Sequence, residues 1–200
     1  MAKVPWKKGA ILSIDTERGV FCLAQMLDDP YLAIFNVFRT DEQWPEVKLD
    51  PSNVLFINPV TRQFLTKSNI SKPKIAPVAD LEAPLLWIEE HFGSGKLRLW
   101  PGTADERVIP TLNSRPGGRL VKNYRDAEFG KSEVIIEDIA LDDSDTIDRH
   151  EMTAVRIYRE FNERIYLCHK FGRNVDPIRD MAFNREIPLD YKDYIDIIMS

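Results

Sequence analysis

The sequence predicts an α+β fold, with a β-rich N-terminal lobe followed by a second lobe of strands and a long helix. Residues 9–38 contain three short apolar segments rich in Val, Ile, Phe and Tyr, separated by turn residues, as in a β-meander. An apolar period of 3.6 residues extends over residues 146–171, which indicates a long amphipathic helix. Between the two patterns, residues 73–84 are rich in proline and have the composition of a connector.

The N-terminal lobe, residues 1–72, is expected to form a twisted antiparallel sheet or a small β-barrel. Gly19 suits the tight turn after the first strand, and the Asp-Pro pair before residue 31 suits the turn after the second. Two of the three segments are almost continuously apolar, so both faces of those strands should be covered. Residues 53–58 predict a fourth strand, whereas residues 60–67 fit a fifth strand or a helical turn.

The C-terminal lobe, residues 85–200, is expected to combine short strands with helices. Residues 111–130 are polar and contain Pro-Gly-Gly, which is typical of a long loop. The long helix should begin at the capping sequence Ser-Asp-Thr before residue 147 and end at Gly172. Strands are predicted at residues 85–88, 96–100 and 134–141, and further helices after Asp176-Pro177 and over residues 190–199.

The charge, the apolar content and the cysteines of the chain favour some classes of function over others. The net charge of −5 disfavours general nucleic-acid binding, because phosphate contacts need Lys and Arg, but it suits a basic protein partner. No run of about 18 apolar residues is present, and the N-terminus lacks the apolar core of a signal peptide. We therefore expect a cytoplasmic protein without a membrane partner. Cys22 and Cys168 are expected to be buried, unlinked thiols.

The N-terminal segment resembles a known family. Trp-Lys-Lys-Gly at residues 6–9 precedes the first strand, Gln-Met-Leu at 25–27 ends the second, and Phe-Asn-Val-Phe at 35–38 ends the third. This order resembles the start of the immunity protein 26 family of bacterial polymorphic-toxin systems and extends to about residue 75. The resemblance implies a cytosolic protein that binds and blocks a cognate toxin. Some members of that family carry a phosphotriesterase-type label, so an enzymatic hypothesis stays open.

The strongest charge segregation lies in residues 133–148, an acidic run with seven carboxylates and no base. Such a run is commonly a solvated face, but it is also complementary to a basic partner such as a nuclease toxin. Trp44 lies in a polar context and could anchor an interface or pack back on the sheet. The predicted partner-binding residues are Glu137, Asp138, Asp142, Asp143, Asp145, Asp148 and Trp44.

The alternative function is a hydrolase, metal-dependent or not, that uses Asp148, His150 and Glu151. Their spacing matches no known ligand motif, and on one continuous helix His150 and His169 would be ~28 Å apart. The Gly-x-Ser-x-Gly, Walker and Cys-x-x-Cys motifs are absent from the sequence. We therefore expect no catalytic residues, metal or cofactor, and toxin neutralisation by stoichiometric binding. A third hypothesis is a structural or adaptor protein without a toxin partner.

Overall fold

A computed structural model describes residues 5–123 and 132–200 of the chain. It confirms the α+β class, because these residues form two antiparallel sheets together with α-helices. The chain divides into two compact units, and each is assembled from two separate parts of the sequence. Unit 1 comprises Met1–Ala83 and Ala154–Val175, and unit 2 comprises Pro84–Thr153 and Asp176–Ser200. The segment from Ala154 was expected in the C-terminal lobe and falls in unit 1.

Unit 1 contains a five-stranded antiparallel sheet with the order β4-β3-β2-β1-β5. The predicted meander and the fourth strand are confirmed. The sheet is open in the described residues, since β4 and β5 are its edges, so it does not close into the barrel alternative. The strands are β1 (Ile11–Asp15), β2 (Phe21–Met26), β3 (Tyr31–Arg39), β4 (Val54–Pro59) and β5 (Ile70–Ser71).

Two helices cover this sheet. The first, α1 (Arg62–Lys67), is the helical alternative of the prediction and begins where the Thr61 hydroxyl accepts a hydrogen bond from a backbone N–H. The second, α3 (Glu160–Phe171), inserts Phe161 edge-to-face against Phe56 and Phe64, with ring centroids 5.9 and 5.1 Å apart. These edge-to-face contacts add to the burial of three large apolar side chains. The apolar surface of the sheet is thus buried in part by α3, which lies about 100 residues further along the chain than β4.

The single helix predicted over residues 146–171 is wrong. The chain forms α2 (Ser144–Arg149), leaves helical geometry at His150, whose backbone is extended, and becomes helical again only in α3. At its far end the prediction is confirmed, because Gly172 takes the left-handed conformation with φ of 64° and stops α3.

Backbone pairing explains the interruption between the two helices. Met152 forms a bridge with Ile88 in unit 2, and Arg156 forms a bridge with Val60 in unit 1. Extended backbone is required for both bridges, and Arg159, with φ of 70°, precedes the first turn of α3. The apolar period therefore continues across a segment whose hydrogen bonds go to other parts of the chain.

Unit 2 contains a three-stranded antiparallel sheet with the order β6-β7-β8. The loop predicted over residues 111–130 is wrong as far as residue 123, because β7 pairs with β6 along its length, and residues 124–130 lie outside the described residues. The predicted strands at 85–88 and 96–100 belong to one long strand. The bounds are β6 (Leu86–Leu99), β7 (Arg107–Asn123) and β8 (Ser132–Ile136).

The C-terminal residues add two helices to unit 2, as predicted. The first, α4 (Pro177–Ala182), starts at Asp176, whose carboxylate accepts a hydrogen bond from the N–H of Ile178. The second, α5 (Lys192–Ile198), buries two of its side chains in the core of the unit. Within the described ranges, no helix combines the length and the apolar character that crossing a bilayer would demand.

Both cysteines are buried free thiols, as predicted, and both lie in unit 1. The thiol of Cys22 donates to the carbonyl oxygen of Phe35, on the neighbouring strand, at 3.3 Å. Burial, followed by the nearby Cys168, raises the pKa of Cys22 well above its usual value of 9.0. A neutral, buried thiol reacts slowly, so Cys22 behaves as a small core residue.

Candidate functional site

The acidic run lies wholly in unit 2, over β8, the turn that follows it and α2. β8 pairs with β7, and no described strand pairs with its other side. The strand is exposed over most of its length. An edge strand of this kind presents unpaired backbone groups and side chains to solvent, and charges beside it discourage self-association.

A β-bulge in the pairing of β8 with β7 changes the direction in which the side chains of β8 point. Leu120 faces Ile136 and Val121 faces Val134, so Ile135 is one residue more than β7 can match. The neighbouring side chains of Val134 and Ile135 are both exposed, at 38% and 46%. Leu141, in the turn before α2, is 48% exposed. Three large apolar side chains are thus presented to solvent inside the acidic run.

Asp138 is held by two groups from the long strands. Its carboxylate lies 2.8 Å from a guanidinium nitrogen of Arg115 and 3.0 Å from Nε2 of His91. Hydrogen bonds from Arg115, and then from His91, lower the pKa of Asp138. The carboxylate is about half exposed despite these contacts. It is therefore an oriented negative group at the surface of the sheet.

Asp143 has a structural role that the sequence analysis did not assign to it. Its carboxylate accepts a hydrogen bond from the N–H of Thr146 at 3.0 Å and caps the first turn of α2. Hydrogen bonds from the hydroxyl and the N–H of Thr146 lower the pKa of Asp143. Asp145, also in the first turn, is exposed and lies 3.9 Å from Arg149 one turn on. Of these two acids, Asp145 is the one that a partner can reach without disturbing the helix.

Asp148, His150 and Glu151 do not assemble into a metal centre. Asp148 forms an ion pair with Arg185 at 2.6 Å, and the buried Glu151 lies 3.9 Å from Arg179. The Nδ1–H of His150 donates to the carbonyl oxygen of Thr146 at 2.8 Å, which occupies that ring nitrogen. Among the residues that the structure describes, no group of three His, Cys, Asp or Glu side chains is arranged to hold a metal ion.

The remaining predicted acids are the most accessible. Glu137 and Asp142 are exposed, and within the described parts of the chain neither carboxylate lies within ion-pair distance of a basic group. They follow Ile136 and Leu141 directly in sequence. Two exposed carboxylates therefore lie close in sequence to the exposed apolar side chains of β8 and its turn.

Trp44 lies in unit 1 and is packed rather than displayed. Its indole N–H donates to the hydroxyl of Ser13 at 3.1 Å, and its ring packs against the core cluster that includes Leu23 and Phe35. This geometry corresponds to the packing alternative that the sequence left open for Trp44. A role in partner binding stays a prediction for this residue, without support from its contacts.

Sequence analysis missed Val134, Ile135 and Leu141 as candidate contact residues. The sequence analysis placed them only in a strand predicted over residues 134–141, because the bulge depends on pairing with a segment that was predicted to be a loop. The available signal was composition, since large apolar residues, these three among them, interrupt the run of acids.

Comparison with known proteins gives one match. A family model described as Domain of unknown function (DUF8309) matches residues 1–186. No curated protein and no solved structure matches the chain.

Proposed function

The chain belongs to that family, DUF8309, and we propose that it is an immunity protein that neutralises a cognate bacterial toxin by stoichiometric binding in the cytoplasm. The proposal rests on the resemblance of its first third to the immunity protein 26 family and on the surface presented by residues 134–145. That surface, here called the acidic surface, consists of the exposed side chains of Val134, Ile135, Glu137, Leu141, Asp142 and Asp145.

The observation that carries the proposal is the mixture of exposed apolar and acidic groups on this short stretch. Val134, Ile135 and Leu141 are each more than one-third exposed, and Glu137 and Asp142 lie beside them in sequence. Protein interfaces commonly have an apolar centre that is desolvated and a charged rim that stays wet. A purely solvated charged face would not need three large apolar side chains.

The sign of the charge selects the class of partner. Carboxylates attract a basic surface over a distance of about one Debye length and speed the encounter. A toxin that cleaves nucleic acid needs a basic substrate site, since it must bind phosphates. Covering such a site with the acidic surface would exclude the substrate without any chemistry by the immunity protein. A nuclease toxin is therefore the partner that fits best.

The hydrolase alternative has no observation in its favour. Its three residues are engaged by Arg185, by Arg179 and by a backbone carbonyl, as described above. Guanidinium groups beside Asp148 and Glu151 would repel a divalent cation. The adaptor hypothesis differs from the proposal only in lacking a toxin, so a test of protection separates the two.

The test uses the polypeptide encoded beside this chain's gene as the candidate toxin. It is expressed in bacteria under an inducible promoter, with and without this chain, and colony survival is counted. The purified pair, with the candidate toxin inactivated in its active site, is then examined by light scattering after gel filtration. We expect protection and a one-to-one complex. Toxicity that this chain does not relieve, with no complex formed, would refute the proposal.

A further inference from the structure

Phe92, in the middle of β6, is the most exposed large apolar side chain of those described. Its side chain is 88% exposed, whereas Trp87 and Ile88 on the same strand are fully buried. Scattered exposed apolar residues are ordinary, but a phenylalanine this exposed on a paired strand leaves a large apolar surface in water. Such a residue fits a site that is covered when a partner binds.

The backbone around Phe92 holds it in this position. The pairing of β6 with β7 changes register on both sides of Phe92, first after Glu90 and again before Gly95. A Cβ at Gly93 would collide with the side chain of Ser114, and one at Gly95 would lie only 2.8 Å from the carbonyl oxygen of Asn113. Glycines are therefore required where β7 comes close, and the irregular pairing is built into the hairpin.

His91, which precedes Phe92 in β6, contacts the acidic run of residues 133–148. The Nε2 of His91 lies 3.0 Å from the carboxylate of Asp138. A Cβ at Gly117 would lie 3.6 Å from both Nε2 of His91 and Cδ2 of Leu141, so both groups lie over the same small residue. The strand that carries Phe92 is thus connected, contact by contact, to the turn that carries Leu141.

We propose that Phe92 is the apolar anchor of the toxin-binding surface and inserts into an apolar pocket of the toxin bordered by Lys and Arg. This inference rests on the proposed function. The basic border follows from charge complementarity with Glu137, Asp142 and Asp145 of the acidic surface. A second copy of the chain is the poorer occupant, because symmetric contact through this surface would oppose like charges. Buried aromatic anchors are typical of the few residues that dominate binding.

The test measures binding kinetics of the inactivated candidate toxin to wild type and to Phe92→Ala. We expect dissociation to be faster by about thirtyfold or more and association to change by less than about threefold, because truncating an anchor acts mainly on dissociation. Phe92→Trp should retain most of the affinity. Val108→Ala is the matched control, since Val108 is half exposed on β7. Equal melting temperatures of the variants show that the fold is intact.

The outcomes separate this inference from the proposed function. If Phe92→Ala binds like wild type while Glu137→Lys with Asp142→Lys binds more slowly, the anchor is refuted and the proposed function stands. If wild type neither binds nor protects, both are refuted. If wild type dimerises in sedimentation and Phe92→Ala does not, the occupant is a second copy and the inference is overturned.

Discussion

Replacing Glu137 and Asp142 together by lysine should slow association with a basic toxin about fivefold at physiological ionic strength. Both carboxylates are exposed and take part in no ion pair within 4 Å in the described residues. We expect the substitutions to have only a small effect on folding, since Glu137 attracts Arg119 at longer range. Asp143 is left unchanged, because it caps α2 and its replacement would confuse a binding effect with a loss of helix.

The fivefold decrease in association rate follows from Coulomb's law with screening by salt. A unit charge that meets an opposite charge at ~7 Å through water, with a Debye length of ~8 Å, changes the encounter rate by a factor of about 1.5. Each substitution changes the charge by two units, so the pair changes it by four and the factor becomes about five. In 1 M salt the Debye length is ~3 Å, and the same calculation leaves a factor of only about 1.5.

The assay is stopped-flow or surface-based kinetics with the inactivated toxin at low, physiological and high salt. The matched control is Glu42→Lys with Glu46→Lys, two exposed acids of unit 1. Each pair of substitutions replaces two negative charges by two positive ones, so both variants change the net charge from −5 to −1. A difference between the two variants therefore reports the position of the charge rather than its total.

Two results would refute the reasoning. Association as fast as wild type at all salt concentrations would show that the acidic surface is only a solvated face. Equal slowing by both variants would show that the total charge acts and that no particular surface is involved. Faster dissociation without slower association would instead indicate that Glu137 or Asp142 makes a short-range contact in the complex.

Three further predictions concern the fold. Arg164→Met should lower the free energy of unfolding in urea by about 3 kcal/mol, because the buried guanidinium donates hydrogen bonds to the side-chain oxygen of Asn58 and the carbonyl oxygen of Val175. A loss below about 1 kcal/mol would contradict this. Burial raises the pKa of Asp180 above its usual value of 3.8, although a hydrogen bond from Tyr191 lowers it in part. The folded state therefore binds this proton more tightly than the unfolded state, so the free energy of unfolding of wild type rises as the pH falls through the raised pKa towards 3.8. Asp180→Asn should flatten this part of the stability profile, and parallel urea profiles of the two proteins would be the contrary result. The two cysteines should react with a thiol reagent only after denaturation, and a mass lower by two hydrogens in protein prepared without oxidant would instead indicate a disulfide.

The elements that were predicted correctly are those whose signals are local. The turn at Gly19 and the apolar segments around it specify a meander between neighbouring strands, so the pairing partner is close in sequence. Asp176 likewise caps α4 by accepting a hydrogen bond from Ile178, only two residues further on. These signals act within a few residues, and a single sequence contains them completely.

The elements that were predicted wrongly depend on partners far along the chain. The helical period across residues 150–159 is real, but the backbone of Met152 pairs with Ile88, and no local signal reports that contact. β7 has the Pro and Gly content of a loop, yet it is a strand because β6 pairs with it on both sides of two register changes. The candidate site could not be predicted from local sequence for the same reason. The exposure of Ile135 and Phe92 depends on register changes between paired strands, and these changes are known only once the pairing is known.

The division of each unit between two parts of the sequence sets the order in which the protein can mature during translation. A nascent chain that ends at Ala83 contains the whole region that resembles the immunity family but lacks α3, so Phe56 and Phe64 have no Phe161 to cover them. The core of unit 2 likewise cannot be completed until Tyr191 and Tyr194 have been synthesised, because both are buried in it. We therefore expect that neither unit folds as a contiguous fragment, and that the acidic surface forms only after Tyr191 and Tyr194 have left the ribosome.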